Sequence, residues 1–178
     1  MNNDYEFRND YVVIFLDRKN GSRYEAIIDI LDFNLVMNAP CKWYLYVGRK
    51  GQIYVYGSGI RIKGEKRKHY KLHRYILNAK DDFDVDHLDH NTLNNRRYNL
   101  REVPIGTNIQ NRITYSKSHS KIRGVYWKKK THKWEVRVQV SGKVHYIGEF
   151  KDIKDAEDAA IKARAEIQPY SLEAFYKS

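Results

Sequence analysis

Apolar and polar positions mark out a chain built mainly of short strands. Tyr11-Val12-Val13-Ile14-Phe15-Leu16 is a compact β-prone run, and the Asn20-Gly21 turn leads into a second strand over residues 22–29. Over residues 29–38 the apolar positions Ile30, Leu31, Phe33, Leu35, Val36 and Met37 have the spacing of a short helix, stopped near Pro40. Trp43-Tyr44-Leu45-Tyr46-Val47 and Ile53-Tyr54-Val55-Tyr56 flank Gly48-Arg49-Lys50-Gly51, the pattern of a β-hairpin. Their tyrosines read as sheet-packing residues rather than base-stacking ones.

Further on, residues 60–71 alternate weakly and are dense in Lys and Arg, and residues 71–77 suit a short helix. Strands are predicted over 83–88 and 99–103, separated by the polar turn Asn91-Thr92-Leu93-Asn94-Asn95, and a helix over 107–113. Residues 116–121 are small and polar and read as a linker. Three more strands follow over 124–127, 133–140 and 143–150, the last two joined by Ser141-Gly142. The middle one puts Trp134, Val136, Val138 and Val140 on one face and Glu135, Arg137 and Gln139 on the other. Trp134, Trp127 and the valines read as core. Residues 152–167 form an amphipathic helix whose small alanines let it lie close to a sheet. The class is α+β. The expected organisation is a β-rich N-terminal part (1–60), a central unit (61–115), the linker (116–121) and a C-terminal three-stranded antiparallel sheet plus helix (122–178).

Composition narrows the function. The 178 residues are 42% hydrophobic, enough for a core. No run approaches the ~20 apolar residues of a membrane helix, and MNNDYEFRND has no apolar signal region, so a cytoplasmic setting, in a bacterial or phage-infected cell, is expected. A single cysteine, Cys41, excludes a disulfide scaffold and cysteine-paired zinc. The net charge of +11 is not spread evenly. Residues 61–80 carry 8 Lys/Arg against 1 acid, residues 116–151 carry 10 against 2, and residues 81–115 between them are net −2. An acidic island between two phosphate-attracting blocks is where a nuclease would hold a metal ion.

That island is rich in chemistry. Asp86-His87 and the Asn-rich stretch down to Asn108 gather carboxylates, imidazoles and amides. Phosphodiester hydrolysis needs a base of near-neutral pKa, a cation for developing charge and a scaffold to align them. A histidine suits the first role, and Asp and Asn oxygens suit Mg²⁺ or Mn²⁺.

Val85-Asp86-His87, Asn94-Asn95-Arg96, Asn99-Leu100-Arg101 and Asn108, preceded by Leu72-His73-Arg74, resemble in order and spacing the HNH endonuclease motif of phage and intron-encoded homing enzymes. The resemblance implies a ββα-metal (His-Me finger) unit in which His87 is the general base, Asn99 hydrogen-bonds and orients the imidazole, and Asp86 and Asn108 hold Mg²⁺ or Mn²⁺. Arg74 is expected to support the site or a phosphate. Asp86 and His87 are adjacent on a strand, so a bend or strand end is expected there.

Residues 122–165 resemble the APETALA-two/ethylene-response-factor DNA-binding domain through Arg123-Gly124-Val125, Lys133-Trp134, Tyr146-Ile147-Gly148-Glu149-Phe150 and Asp155-Ala156-Glu157-Asp158-Ala159-Ala160. That resemblance implies a sheet whose face away from the helix enters the major groove of double-stranded DNA. Arg123, Lys128, Arg137, Gln139, Lys143 and Tyr146 are the expected contacts. The sequence thus reads as a monomeric homing or nicking DNA endonuclease; the alternatives are a sequence-specific DNA-binding regulator with an inactive HNH segment and an RNA-binding or structural protein.

Overall fold

Strong β-formers build the first sheet. β1 (Tyr5–Arg8), β2 (Tyr11–Asp17) and β3 (Arg23–Asp29) form an antiparallel sheet with β2 in the middle. The structure, a computed structural model, describes residues 3–49, 51–111 and 119–177, apart from the side chains of residues 108 and 109. It divides into two compact units, Met1–Ile105 and Gly106–Ser178.

In the first unit, a 3-10 turn (Ile30–Asp32) and α1 (Phe33–Met37) lead to a second antiparallel sheet of β4 (Cys41–Val47), β5 (Ile53–Gly59) and β6 (His69–Lys71). The side chain of Asn3 joins the two sheets, donating to Phe15 O at 3.0 Å and Trp43 O at 2.9 Å and accepting from Trp43 N. α2 (Leu72–Leu77) follows, and then a two-stranded hairpin of β7 (Phe83–His87) and β8 (Leu100–Pro104).

One core serves all of this. Val12, Ile14, Leu16, Ala26 and Ile28 of the first sheet meet Val36, Trp43, Val55, Leu72, Ile76, Val85 and Leu100. The expected boundary at 60/61 therefore falls inside a single hydrophobic core, and residues 61–105 do not stand apart from the N-terminal part. α2 and the hairpin share their buried apolar residues with the first two sheets.

The second unit begins with a 3-10 turn (Asn108–Asn111) where a helix over 107–113 was expected; residues 112 and 113 lie outside the described residues. Residues 116–118 of the expected linker also lie outside them. β9 (Val125–Lys128), β10 (Lys133–Val140) and β11 (Lys143–Phe150) form an antiparallel sheet with β10 in the middle. α3 (Ile153–Ile167) packs on it through Ala156 and Ala160 against Val125 and Val136. Asp152 caps α3 by accepting from Lys154 N at 2.6 Å. Gly124, at φ +81, lies so close to Arg137 O that a Cβ would stand 2.7 Å from it. A short α4 (Leu172–Phe175) closes the unit. The α+β class and the C-terminal sheet-plus-helix pattern follow the hydrophobic periodicity. No helix among the described residues is long and apolar enough to cross a membrane.

The shared core has a direct consequence. A fragment starting at residue 61 leaves Leu72, Ile76, Val85 and Leu100 without their partners. Its segment 61–105 should show no cooperative thermal transition by circular dichroism, whereas Met1–Ile105 should melt cooperatively.

Candidate active site

The site is a loop held between two paired strands. In the β7–β8 register Asp86 faces Arg101 and His87 faces Leu100, and β7 ends at His87, the strand end expected there. Asp86 and His87 are both buried, at 7% and 5% exposure, because the protein covers both faces of the hairpin at this point.

Asp89 organises the loop that follows. Its Oδ1 accepts from Asn91 N at 2.8 Å and from the Asn99 amide at 2.8 Å, and its Oδ2 accepts from the Asn94 amide at 2.7 Å. Its backbone N–H donates to Asn99 Oδ1 at 2.9 Å. His90 turns the chain with φ +60. The loop then docks on β3: Ile27 N donates to Leu93 O at 2.9 Å, and Asn95 N donates to Ile27 O at 2.8 Å. Arg96 pairs with Asp29 and Asp10, both at 2.7 Å, and Arg97 pairs with the buried Asp32 at 2.7 Å. Thr92 Oγ1 donates to Ile53 O, at the start of β5.

His87 is oriented by Asn95, whose Oδ1 lies 3.4 Å from Nε2. The Asn95 amide nitrogen donates to Thr92 O at 3.3 Å, which leaves its oxygen to face the imidazole. An oxygen only accepts, so the pairing puts the proton on Nε2 and the lone pair on Nδ1. Burial pushes the His87 pKa below the ordinary histidine value, against the opposing pull of Asn95, Asp86 and Asp89. Asp86 is held by Arg101, with Nη2 3.0 Å from Oδ2. Behind His87 stands His73 of α2, its ring centroid 5.1 Å away at 72°. His73 is itself buried, and its Nδ1 has no hydrogen-bond partner among the described residues. Burial first, then the neighbouring His87, Lys71 and Arg74, push its pKa down to about 3, so it is a neutral wall to the site.

An uncharacterized HNH endonuclease of Acanthamoeba polyphaga mimivirus is 32% identical to this chain over 161 residues, covering 89% of the chain and 77% of the relative. The chain belongs to the HNH endonuclease family. No family model matches it, and no solved structure does.

Two expected roles within this HNH segment change. Asn99 does not reach His87: its oxygen accepts from Asp89 N, and its amide donates to Asp89 Oδ1 and Asn94 O. It locks the loop, and Asn95 orients the imidazole instead. The sequence offered Asn95 as a turn residue within the HNH stretch, with no role toward His87; its placement depends on docking to Ile27, a contact 68 residues away in sequence. Arg74 is likewise engaged, donating to Phe83 O, Ala79 O at 3.3 Å and Lys80 O at 2.6 Å. It braces the turn between α2 and β7 rather than presenting its charge to a phosphate. Arg101 had no expected role; its place opposite Asp86 in the hairpin was the available signal.

Asn108 belongs to the second unit, and its side chain lies outside what the structure describes. Among the described residues no three His, Cys, Asp or Glu side chains gather into a metal cage. A carboxylate such as that of Asp86 suits a hard cation that keeps much of its water.

In the second unit, the outer face of the sheet carries Arg137 opposite Tyr146 and Gln139 opposite Val144. Arg137, Gln139, Lys143 and Tyr146 are exposed. Lys128 is bound up in ion pairs with Glu149 and with Glu135, the latter at 3.5 Å, and Arg137 also pairs with the buried Glu135. Arg123 is not on this face as a free contact: it donates to Gln110 O and to Gln168 Oε1 at 3.0 Å, tying the 3-10 turn to the end of α3. Trp127, expected in the core, is 36% exposed and lies edge-on to Trp134.

The two asparagines should separate experimentally. Asn95→Ala should change the ¹⁵N NMR tautomer signature of His87 with a modest stability loss. Asn99→Ala should lower stability by about 1–3 kcal/mol, read by chemical denaturation, because Asp89 and Asn94 lose buried partners.

Proposed function

We propose that this HNH endonuclease hydrolyses phosphodiester bonds of double-stranded DNA with a divalent cation, Mg²⁺ or Mn²⁺, and that His87 is its general base. The supporting observation is the state of His87. It is buried, its pKa lies below the ordinary value, and Asn95 occupies its Nε2. Nδ1 is then unprotonated at neutral pH, ready to take a proton from an attacking water. A base so placed contributes about 10²–10⁴ in rate.

Asp86, one residue earlier, would hold the cation, and the HNH resemblance assigns the Asn108 amide to the same role. When bound, the cation supplies positive charge against the phosphate oxygens and the leaving oxygen. Arg101 fixes the Asp86 carboxylate from the neighbouring strand. His73 packs against the His87 ring without adding charge. Asn99 and Asp89 keep the loop in the shape that places Asn95.

The second unit supplies target recognition, in the manner of the APETALA-two/ethylene-response-factor domains it resembles in sequence. The exposed outer-face residues Arg137, Gln139 and Tyr146, with Lys143 at the adjoining turn, fit a major groove, where side chains reach base edges and phosphates. Lys128 contributes less than its charge suggests, because Glu135 and Glu149 already engage it. One chain carries one His87, so a monomer cuts one strand per encounter, as a nicking or homing enzyme.

Supercoiled plasmid tests this. Wild-type protein should convert it to nicked circles with Mg²⁺ and not with EDTA. His87→Ala should lose at least about 100-fold in cleavage while binding DNA as before; cleavage within a few-fold of wild type would remove His87 from the role. Binding without cleavage under any divalent ion would make the protein a DNA-binding regulator. If roughly four phosphates are neutralised, affinity should fall about 100-fold between ~50 and ~200 mM salt.

A further inference from the structure

The second sheet has one face that the core does not use. Trp43 and Val55 point inward, so the alternate residues of β4 and β5 point outward. Strand pairing sets Tyr44 beside Tyr56 and Tyr46 beside Tyr54, with Lys71 of β6 on the far side of Tyr56. Tyr44 and Tyr46 are 36% and 41% exposed. The Tyr46 and Tyr56 rings lie 4.5 Å apart at a 33° tilt, and Lys71 Nζ stands 5.9 Å from the centre of the Tyr56 ring.

Four outward tyrosines on neighbouring strands are unusual for a solvent-facing sheet, where charged and hydroxyl side chains serve solubility better. Charge identifies what would cover them. From residue 33 to residue 80 the chain has 11 Lys and Arg and a single acid, Glu65. The partner is therefore a polyanion that also offers flat aromatic surfaces. Bases in a closed duplex stack on one another and show only their edges. An unpaired strand shows base faces, and aromatic side chains bind these with little dependence on sequence. A second copy of this chain would bring the same positive charge and be repelled.

The face also runs to the site. Tyr54 lies 5.8 Å, ring to ring, from His73, and His73 lies 5.1 Å from His87. The tyrosine face therefore lies near the imidazole, with the buried His73 between them.

We propose that the outer face of the β4–β5–β6 sheet binds a single-stranded segment of the DNA substrate beside the scissile phosphate, stacking its bases on Tyr44, Tyr46 and Tyr56. This rests on the nuclease reading above and adds to it the form of the substrate. The DNA is locally opened when cut, and the second unit holds the flanking duplex.

The test is binding by the full chain in EDTA, where no cleavage is needed. Fluorescence anisotropy would compare a labelled oligodeoxythymidylate of about 12 nucleotides with a duplex. The double variant Tyr44→Ser/Tyr46→Ser changes two exposed side chains and keeps the core. It should bind the single strand about 10-fold or more weakly and the duplex as wild type does. The variant Tyr44→Phe/Tyr46→Phe should retain single-strand binding, because the ring and not the hydroxyl stacks. A 2-aminopurine base in the strand should be quenched by wild type and not by the serine variant. Unchanged single-strand affinity in the serine variant would overturn the proposal. So would a preference for single-stranded RNA over DNA, or self-association of wild type that the serine variant abolishes. A chain that binds the strand through the tyrosines yet never cleaves would sink the nuclease reading alone.

Discussion

Both backbone groups of Ile27 are given to the loop that carries the HNH asparagines, its N–H to Leu93 O and its carbonyl to Asn95 N. This short parallel bridge connects the first sheet to the candidate site. Buried backbone groups left unpaired cost about as much as a lost hydrogen bond each, so the loop and β3 hold one another in register. Asn95 is fully buried because of that docking, and its side chain can reach His87 only from there. Arg96 and Arg97 reinforce the same seam through Asp29 and Asp32. The N-terminal sheets are therefore part of the apparatus that sets the protonation and direction of the imidazole.

Burial does two things to the histidines, and the neighbours decide between them. His87 loses solvation but keeps Asn95, Asp86 and Asp89 around it, each favouring its charged form. His73 loses solvation and faces only positive or neutral neighbours, His87, Lys71 and Arg74. The two rings touch, yet one retains proton affinity and the other is held neutral. A charged His73 would raise the cost of protonating His87, so a neutral wall suits a base that must gain a proton during turnover.

Much of the architecture was legible because the strands alternate over five or more residues. β10 and α3 carry their period plainly. β1, β6 and α4 run for only three or four residues, too few to show a period. The residue types of the site were legible too, but not the partnerships. Asn95 and Asn99 differ in role because one docks against Ile27 and the other against Asp89, and spacing along the chain does not distinguish these. Arg74 read as a support for the site or a phosphate, and Arg123 as a DNA contact. Tertiary structure aims both at backbone carbonyls, Phe83 O and Gln110 O. For the tyrosine hairpin, Trp43-Leu45-Val47 and Tyr44-Tyr46 are both apolar enough to be a core face. The buried position of Trp43, with its indole N–H donating to Val36 O at 3.0 Å, decides which is inside.

The same distinction between charge and its placement applies to the whole first unit. Residues 1–60 carry equal numbers of acidic and basic groups, 7 of each, which suggests an electrostatically quiet surface. The acids, however, are engaged with arginines: Glu6 and Glu25 with Arg8, Asp4 and Asp17 with Arg23, Asp10 and Asp29 with Arg96, Asp32 with Arg97. Two of those arginines come from the HNH loop itself. Among the described residues, the basic groups of residues 42–71 make no such pairs, although Lys42 acts on Asp17 through space. The second sheet and the segment leading into α2 thus carry a run of basic groups outside these ion pairs. Carboxylates tied to the loop arginines cannot screen it there. Anion attraction and the shape of the catalytic loop follow from one allocation of ion pairs.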